Sequence, residues 1–121
     1  MLLVEDDADW RDAVALRLGQ AGARVTTASS VADALELLDA VHPQVLVSDI
    51  GMPHADGYEL ISLVRARPGT RLTAVAMTGF ADPESRERCM DLGFDDFIAK
   101  PFEPGLLVTR LGTLLGLSRA V

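Results

Sequence analysis

The stretch "VLVSDIGMPHADG", Val45 to Gly57, runs a short strand-like segment into a carboxylate and then into a loop of Gly, Pro, His and Asp. The β-branched and apolar residues from Val45 to Ser48 suit a strand. Asp49 then stands at the mouth of a buried segment, where an ionised acid is costly unless something pairs with it. What Asp49 faces decides how the chain is read.

Similar runs recur on either side. Leu2 to Val4, Ala23 to Thr27, Leu72 to Met77 and Phe97 to Ala99 are short, β-rich and bounded by turn or charged residues, so five strands are expected. Four helical segments lie between them and a fifth closes the chain. In "SVADALELLDAVHP" the residues Val31, Ala34, Leu35, Leu38 and Val41 share one face, with Ser30 as N-cap and Pro43 as stop. "GYELISLVRARPG" repeats the arrangement through Leu60, Ile61 and Val64, and "LLVTRLGTLLG" through Leu107, Leu111 and Leu114. "DPESRERCMDLG" is weakly apolar, with Pro83 suited to a first turn and Gly93 to a C-terminal cap, and is expected to pack loosely. This alternation calls for an α/β fold, a parallel sheet covered on both faces by helices with right-handed crossovers. In such sheets ligands bind outside the carboxyl ends of the strands.

The chain has 121 residues and is 49% apolar, enough for one domain with one core. Eleven basic residues against eighteen acidic ones leave a formal net charge of −7, with no Lys/Arg-rich run. Direct binding to nucleic acid or to an anionic membrane is not expected. Apolar stretches such as "MLLV" and "AVAM" are too short to insert in a membrane, and "MLLVEDD" lacks the basic start of a signal peptide, so the chain reads as cytoplasmic. Its lone Cys89 forms no internal disulfide and reads as a packing residue.

The strand ends carry an unusual set of polar residues. The first strand runs into Glu5, Asp6 and Asp7, the third ends at Asp49, the fourth runs into Thr78 and Gly79, and the fifth into Lys100 and Pro101. Taken singly these have ordinary explanations: Asp7 or Asp9 caps the next helix, Asp6 does so as readily as it binds anything, Lys100 is a surface amine and Thr78 a turn residue. Taken together they form a constellation. Carboxylates sharing a pocket repel unless a cation intervenes. Oxygen ligands without His or Cys favour Mg²⁺ over zinc or copper, and no loop of alternating oxygen ligands argues for calcium. A Lys ammonium and a Thr hydroxyl are what the outer oxygens of a phosphoryl group need, and an ionised Asp beside the metal can act as nucleophile.

With these residues in hand, the sequence resembles the receiver domain of two-component response regulators. "LLVEDD" resembles that family's first strand and acidic pair, "VLVSDIGMPHADG" its phosphoacceptor strand and loop, "AVAMTG" its hydroxyl-bearing fourth strand, and "DDFIAKPF" its fifth strand with the Lys-Pro pair. The resemblance covers essentially all of residues 1 to 121, read as a single receiver domain. It implies a three-layer α/β/α sandwich with strands in the flavodoxin-like order 2-1-3-4-5 and five helices. It also implies that Asp49 accepts a phosphoryl group from a phosphohistidine on a sensor histidine kinase or a histidine phosphotransfer domain. Asp6, Asp49 and the backbone carbonyl of Gly51 would hold Mg²⁺, and Glu5 would reach it through water. Lys100 would pair with Asp49 and grip a phosphoryl oxygen. Thr78 and the Phe97 ring would act as the switch, and Lys100-Pro101 would be cis. The face of the fourth helix, fifth strand and last helix would meet a downstream output domain or protein.

Departures from the family pattern carry their own expectations. Phe97 stands where a Tyr is often found, which removes any readout through a ring hydroxyl. Gly51 and Phe80 offer no polar group at loop positions that in the family affect the hydrolytic water, so self-dephosphorylation is expected to be slow. Asp96 and Arg110 suit the cross-dimer pair of some transcriptional receivers, but Leu106 stands where those often place an acid, leaving at most a weak homodimer. No output domain is visible in the chain, which reads either as a stand-alone receiver or as one cut from a larger protein. "SDIGMPHADGYEL" resembles receivers attached to hybrid histidine kinases. Two other classes lack a residue they need. A phosphohydrolase using an aspartyl phosphate needs a second Asp two residues after the first, where Gly51 stands. A flavin carrier needs a Ser/Thr/Gly-rich loop where "EDDADW" stands. A pseudo-receiver that only binds partners would not need all five site residues.

Overall fold

The alternation of short apolar runs and amphipathic segments becomes, in the computed structural model, five strands and five helices over the described residues 1–52, 54–69, 71–79 and 82–116. In chain order these are β1 (Leu2–Val4), α1 (Ala8–Gln20), β2 (Thr26–Ala28), α2 (Val31–Val41), β3 (Val45–Asp49), α3 (Gly57–Ala66), β4 (Thr73–Thr78), α4 (Pro83–Leu92), β5 (Asp96–Ala99) and α5 (Pro104–Leu114). The strands are parallel in the order β2-β1-β3-β4-β5, the flavodoxin-like arrangement. Phe80, one of the loop positions singled out above, lies outside the described residues.

Strand periodicity sends successive side chains to opposite faces, and both faces are covered. Leu3, Val45, Val47 and Met77 meet Val14 and Leu18 of α1 and Leu107 and Leu111 of α5. Leu2, Val4, Leu46 and Ala76 meet Leu38 of α2, Leu60 and Val64 of α3, and Cys89 of α4. The sandwich follows from strands apolar on both sides between helices apolar on one.

Local signals fix where helices begin and end. The Ser30 side chain accepts from Asp33 N at 3.1 Å, and α2 stops with His42 in the left-handed region (φ 51°) just before Pro43. Asp82 caps α4 by accepting from Ser85 N, Pro83 opens its first turn, and Gly93 at φ 120° ends it. Cys89 is the one buried residue of α4, which is thus held loosely, and burial pushes its thiol up from the ordinary value. At the far end of α4, Arg65 of α3 forms a clamp. Its Nε and Nη2 donate to Gly93 O at 3.0 and 2.8 Å, its Nη1 to Leu72 O at 2.8 Å, and Nη2 also meets Asp95 Oδ2 at 3.1 Å.

Three expectations shift. The second strand occupies Thr26–Ala28 rather than Ala23 to Thr27, because Ala23 N still bonds Leu18 O at the end of α1 and pairing with β1 begins only at Leu2↔Thr26. Val41 is 39% exposed and Leu114 36% exposed, since each stands in the last turn of its helix, beyond the reach of the sheet.

Candidate functional site

The ends of β1, β3, β4 and β5 deliver polar groups to the same edge of the sheet. Glu5 follows β1, where its N–H continues the ladder to Ala28 O at 3.0 Å and Arg11 Nη1 donates to its carbonyl at 2.9 Å. Asp49 is the last residue of β3. Its neighbour Ile50 donates to Met77 O at 3.0 Å and to Asp49 Oδ1 at 2.9 Å, which fixes the carboxylate at the strand mouth. Lys100 follows β5, and its N–H donates to Thr78 O at 2.6 Å, tying the ends of β4 and β5 together. Thr78 is buried, and the Lys100-Pro101 bond is cis.

The side chains converge. Lys100 Nζ lies 2.6 Å from Glu5 Oε1 and 3.2 Å from Asp49 Oδ1. Glu5 Oε2 accepts from Asp7 N at 3.2 Å. Glu5 is fully buried and Asp49 is 5% exposed, whereas Asp6 and Gly51 are open to solvent. Burial pushes the Glu5 carboxyl up to about 7; the Lys100 ammonium and the Asp7 N–H oppose this and the Asp49 charge adds to it. Burial works against the Lys100 charge, but Glu5 and Asp49 outweigh it and hold the ammonium above its ordinary value.

Carboxylate oxygens of Glu5, Asp6 and Asp49 all lie within 4.8 Å of one another. One ammonium cannot balance three acids at that spacing. The donors are all oxygens and one acid is solvent-accessible, which fits a hard divalent cation entering from the surface. The geometry thus brings together Glu5, Asp6, Asp49 and Lys100, with Thr78 at the adjoining strand end. Phe97, on β5, is buried in the core on the α4 side rather than in this pocket. Asp7 caps α1, accepting from Trp10 N at 3.2 Å.

Three residues important to the site carry no role in the sequence reading. Gly57 lies so close to the strand end that a Cβ there would sit 2.4 Å from Asp49 O and 2.9 Å from Ile50 Cα. The Asp-Gly pair before α3 is its only sequence signal. Arg11 reaches back to the Glu5 carbonyl from α1. The Trp10 ring lies near Lys100, its centroid 5.9 Å from Nζ.

A strand-end cluster of carboxylates beside a lysine, on a doubly wound parallel sheet, defines a flavodoxin-like domain built around a polar, cation-ready pocket. The chain belongs to the response regulator receiver domain family, whose sequence profile matches residues 1–112, and is thus a receiver domain of two-component signalling. It is 44% identical over 105 residues to an uncharacterized 14.6 kDa protein from Leptolyngbya boryana, covering 86% of this chain and 80% of that one. It is 35% identical over 101 residues to the sensor histidine kinase RcsC of Escherichia coli K12, covering 84% of this chain and 10% of the kinase. The crystal structure of the chemotaxis protein CheY4 of Vibrio cholerae superposes with a TM-score of 0.85 at 29% identity, covering 93% of this chain and 94% of that one. The chain spans half or less of the length of the kinases and transcriptional regulators it matches. No helix among the described residues is long and apolar enough to cross a membrane.

Proposed function

We propose that Asp49 is the phosphoacceptor of this receiver, taking a phosphoryl group from a phosphohistidine on a sensor histidine kinase or histidine phosphotransfer domain. The observation that carries the reading is the contact of Lys100 Nζ with Asp49 Oδ1 at 3.2 Å inside the Glu5, Asp6 and Asp49 cluster. An Asp49 oxygen attacks phosphorus as the P–N bond breaks, and the bonding pair leaves with the imidazole nitrogen. Lys100 moves from the carboxylate to a phosphoryl oxygen, and the Thr78 hydroxyl takes another. Asp6, Asp49 and the Gly51 carbonyl would hold Mg²⁺, with Glu5 reaching it through water. When bound, that ion supplies neutralisation of phosphoryl charge.

Residues 1 to 121 form the receiver as one unit, a phosphoacceptor rather than a turnover enzyme, acting in the cytoplasm. Phosphorylation adds up to about two negative charges, which draw Thr78 and Lys100 inward and bias the loosely held α4. Phe97 follows Thr78 as the apolar half of the switch. The output partner meets the face of α4, β5 and α5, where Met90 and Leu106 are exposed. On that face Arg110 Nη1 donates to both Asp96 oxygens, at 2.9 and 2.8 Å, within one chain. That satisfied pair supports a weak homodimer at most. Gly51 lends no polar side chain to a hydrolytic water, which supports slow dephosphorylation.

Incubation with Mg²⁺ and acetyl phosphate, followed by intact-mass measurement, tests the reading. Wild type gains one phosphoryl group and Asp49→Ala gains none; equal uptake by both would refute the assignment.

A further inference from the structure

Lys100 carries its charge in unusual company. Besides the two carboxylates, its ammonium lies 5.9 Å from the centroid of the Trp10 ring, within the range of a cation–π attraction. Trp10 is itself fixed in place. Its backbone N–H donates to Asp7 Oδ1 in the first turn of α1, and the Phe102 ring meets its ring edge-on, with centroids 5.0 Å apart and planes at 87°. Phe102 is two residues beyond Lys100, so one short segment supplies both the ammonium and the ring that fixes the indole. The Trp10 Nε1 atom is buried with no hydrogen-bond partner among the described residues. An indole N–H left unpaired costs free energy, so this ring orientation is maintained by its packing rather than by a polar contact.

Resting on the assignment of Asp49, we propose that Trp10, braced by Phe102, is a positioning residue for Lys100, keeping the ammonium at the pocket while it passes from the Asp49 carboxylate to a phosphoryl oxygen. The carboxylates alone serve this poorly. Glu5 holds Nζ at 2.6 Å, closer than Asp49 does, and so draws the ammonium away from the place where phosphoryl charge develops. An aromatic face attracts the same cation without competing as a charged acceptor, and its attraction counts most during the passage, when the oxygen contacts are given up. A lysine side chain that is 21% exposed would otherwise exchange its oxygen contacts for water during that passage.

The test compares phosphoryl uptake from acetyl phosphate with Mg²⁺ in wild type, Trp10→Phe, Trp10→Leu, Lys100→Ala and Lys100→Ala combined with Trp10→Leu. Loss of the aromatic face in Trp10→Leu should slow uptake about two- to fivefold, the size of a cation–π contribution, while Trp10→Phe stays near wild type. In the Lys100→Ala background, Trp10→Leu should add nothing. Trp10 is the one tryptophan of the chain, so its emission reports on Lys100 directly and should differ between wild type and Lys100→Ala without any donor. The same slowing with and without Lys100, equal loss in Trp10→Phe and Trp10→Leu, or coincident emission spectra would each overturn the role of Trp10. Uptake by Asp49→Ala would instead overturn the phosphoacceptor assignment on which it rests.

Discussion

Lys100 Nζ lies 2.6 Å from Glu5 Oε1, a shorter contact than the one it makes with Asp49. The ammonium therefore sits among the carboxylates of the proposed Mg²⁺ site, where its charge would compete with that of a divalent cation. Replacing Lys100 with Ala should tighten Mg²⁺ binding by about tenfold, because the competing charge is gone from a partly desolvated pocket. The same substitution should slow phosphoryl uptake by about tenfold or more, since a donor to the developing oxyanion is lost. A Mg²⁺ titration and the uptake rate measure the two effects, and a fall in Mg²⁺ affinity would contradict this electrostatic account.

Gly57 predicts a local lesion. A methyl group there would meet Asp49 O and Ile50 Cα, both backbone atoms that cannot rotate away. Gly57→Ala should cost about 1–3 kcal/mol of stability by overpacking and displace the end of β3, slowing phosphoryl uptake as well. Denaturant unfolding alongside the uptake assay checks both; an unchanged midpoint would show that the α3 start yields easily.

Arg65 predicts the reverse separation of effects. Its guanidinium satisfies the Leu72 and Gly93 carbonyls far from the pocket. Arg65→Met should destabilise the chain by about 2–3 kcal/mol, the scale of hydrogen bonds to a charged group, while the folded protein takes up phosphate at the wild-type rate. Chemical denaturation gives the first quantity and intact-mass kinetics the second.

Cys89 gives a pH dependence. Burial raises its thiol above the ordinary value of 9.0 in the folded chain, so the folded state binds the proton more tightly than the unfolded one. The resulting stability is present in full below about pH 9 and is lost as pH rises through the folded value. Cys89→Ala should flatten that alkaline loss. Native Cys89 should also react far more slowly with a thiol reagent than the unfolded chain does, and equal rates would show that α4 does not cover it.

Much of this molecule can be read from its sequence because its signals are local. Alternating apolar runs give the strands, and Ser30, Pro83 and Gly93 mark helix ends by their own backbone chemistry. Glu5, Asp6, Asp49, Thr78 and Lys100 are legible because parallel strands bring their carboxyl ends to one edge. Ala23 and Val25 suit a strand by their side chains yet lie outside β2, because the pairing that defines it depends on where β1 lies. Gly57, Arg65 and Trp10 stayed silent for a similar reason. Each acts through a contact with another element, and apart from the Asp56-Gly57 pair nothing in the neighbouring residues announces it.

Borohydride trapping identifies the acid that carries the phosphoryl group. The chain is loaded with acetyl phosphate and Mg²⁺, reduced with borohydride, digested and sequenced by mass spectrometry. Reduction of an aspartyl phosphate leaves homoserine, which is expected at position 49. Homoserine at another acid, or phosphate retained on a hydroxyl or imidazole with residue 49 still aspartate, would contradict it.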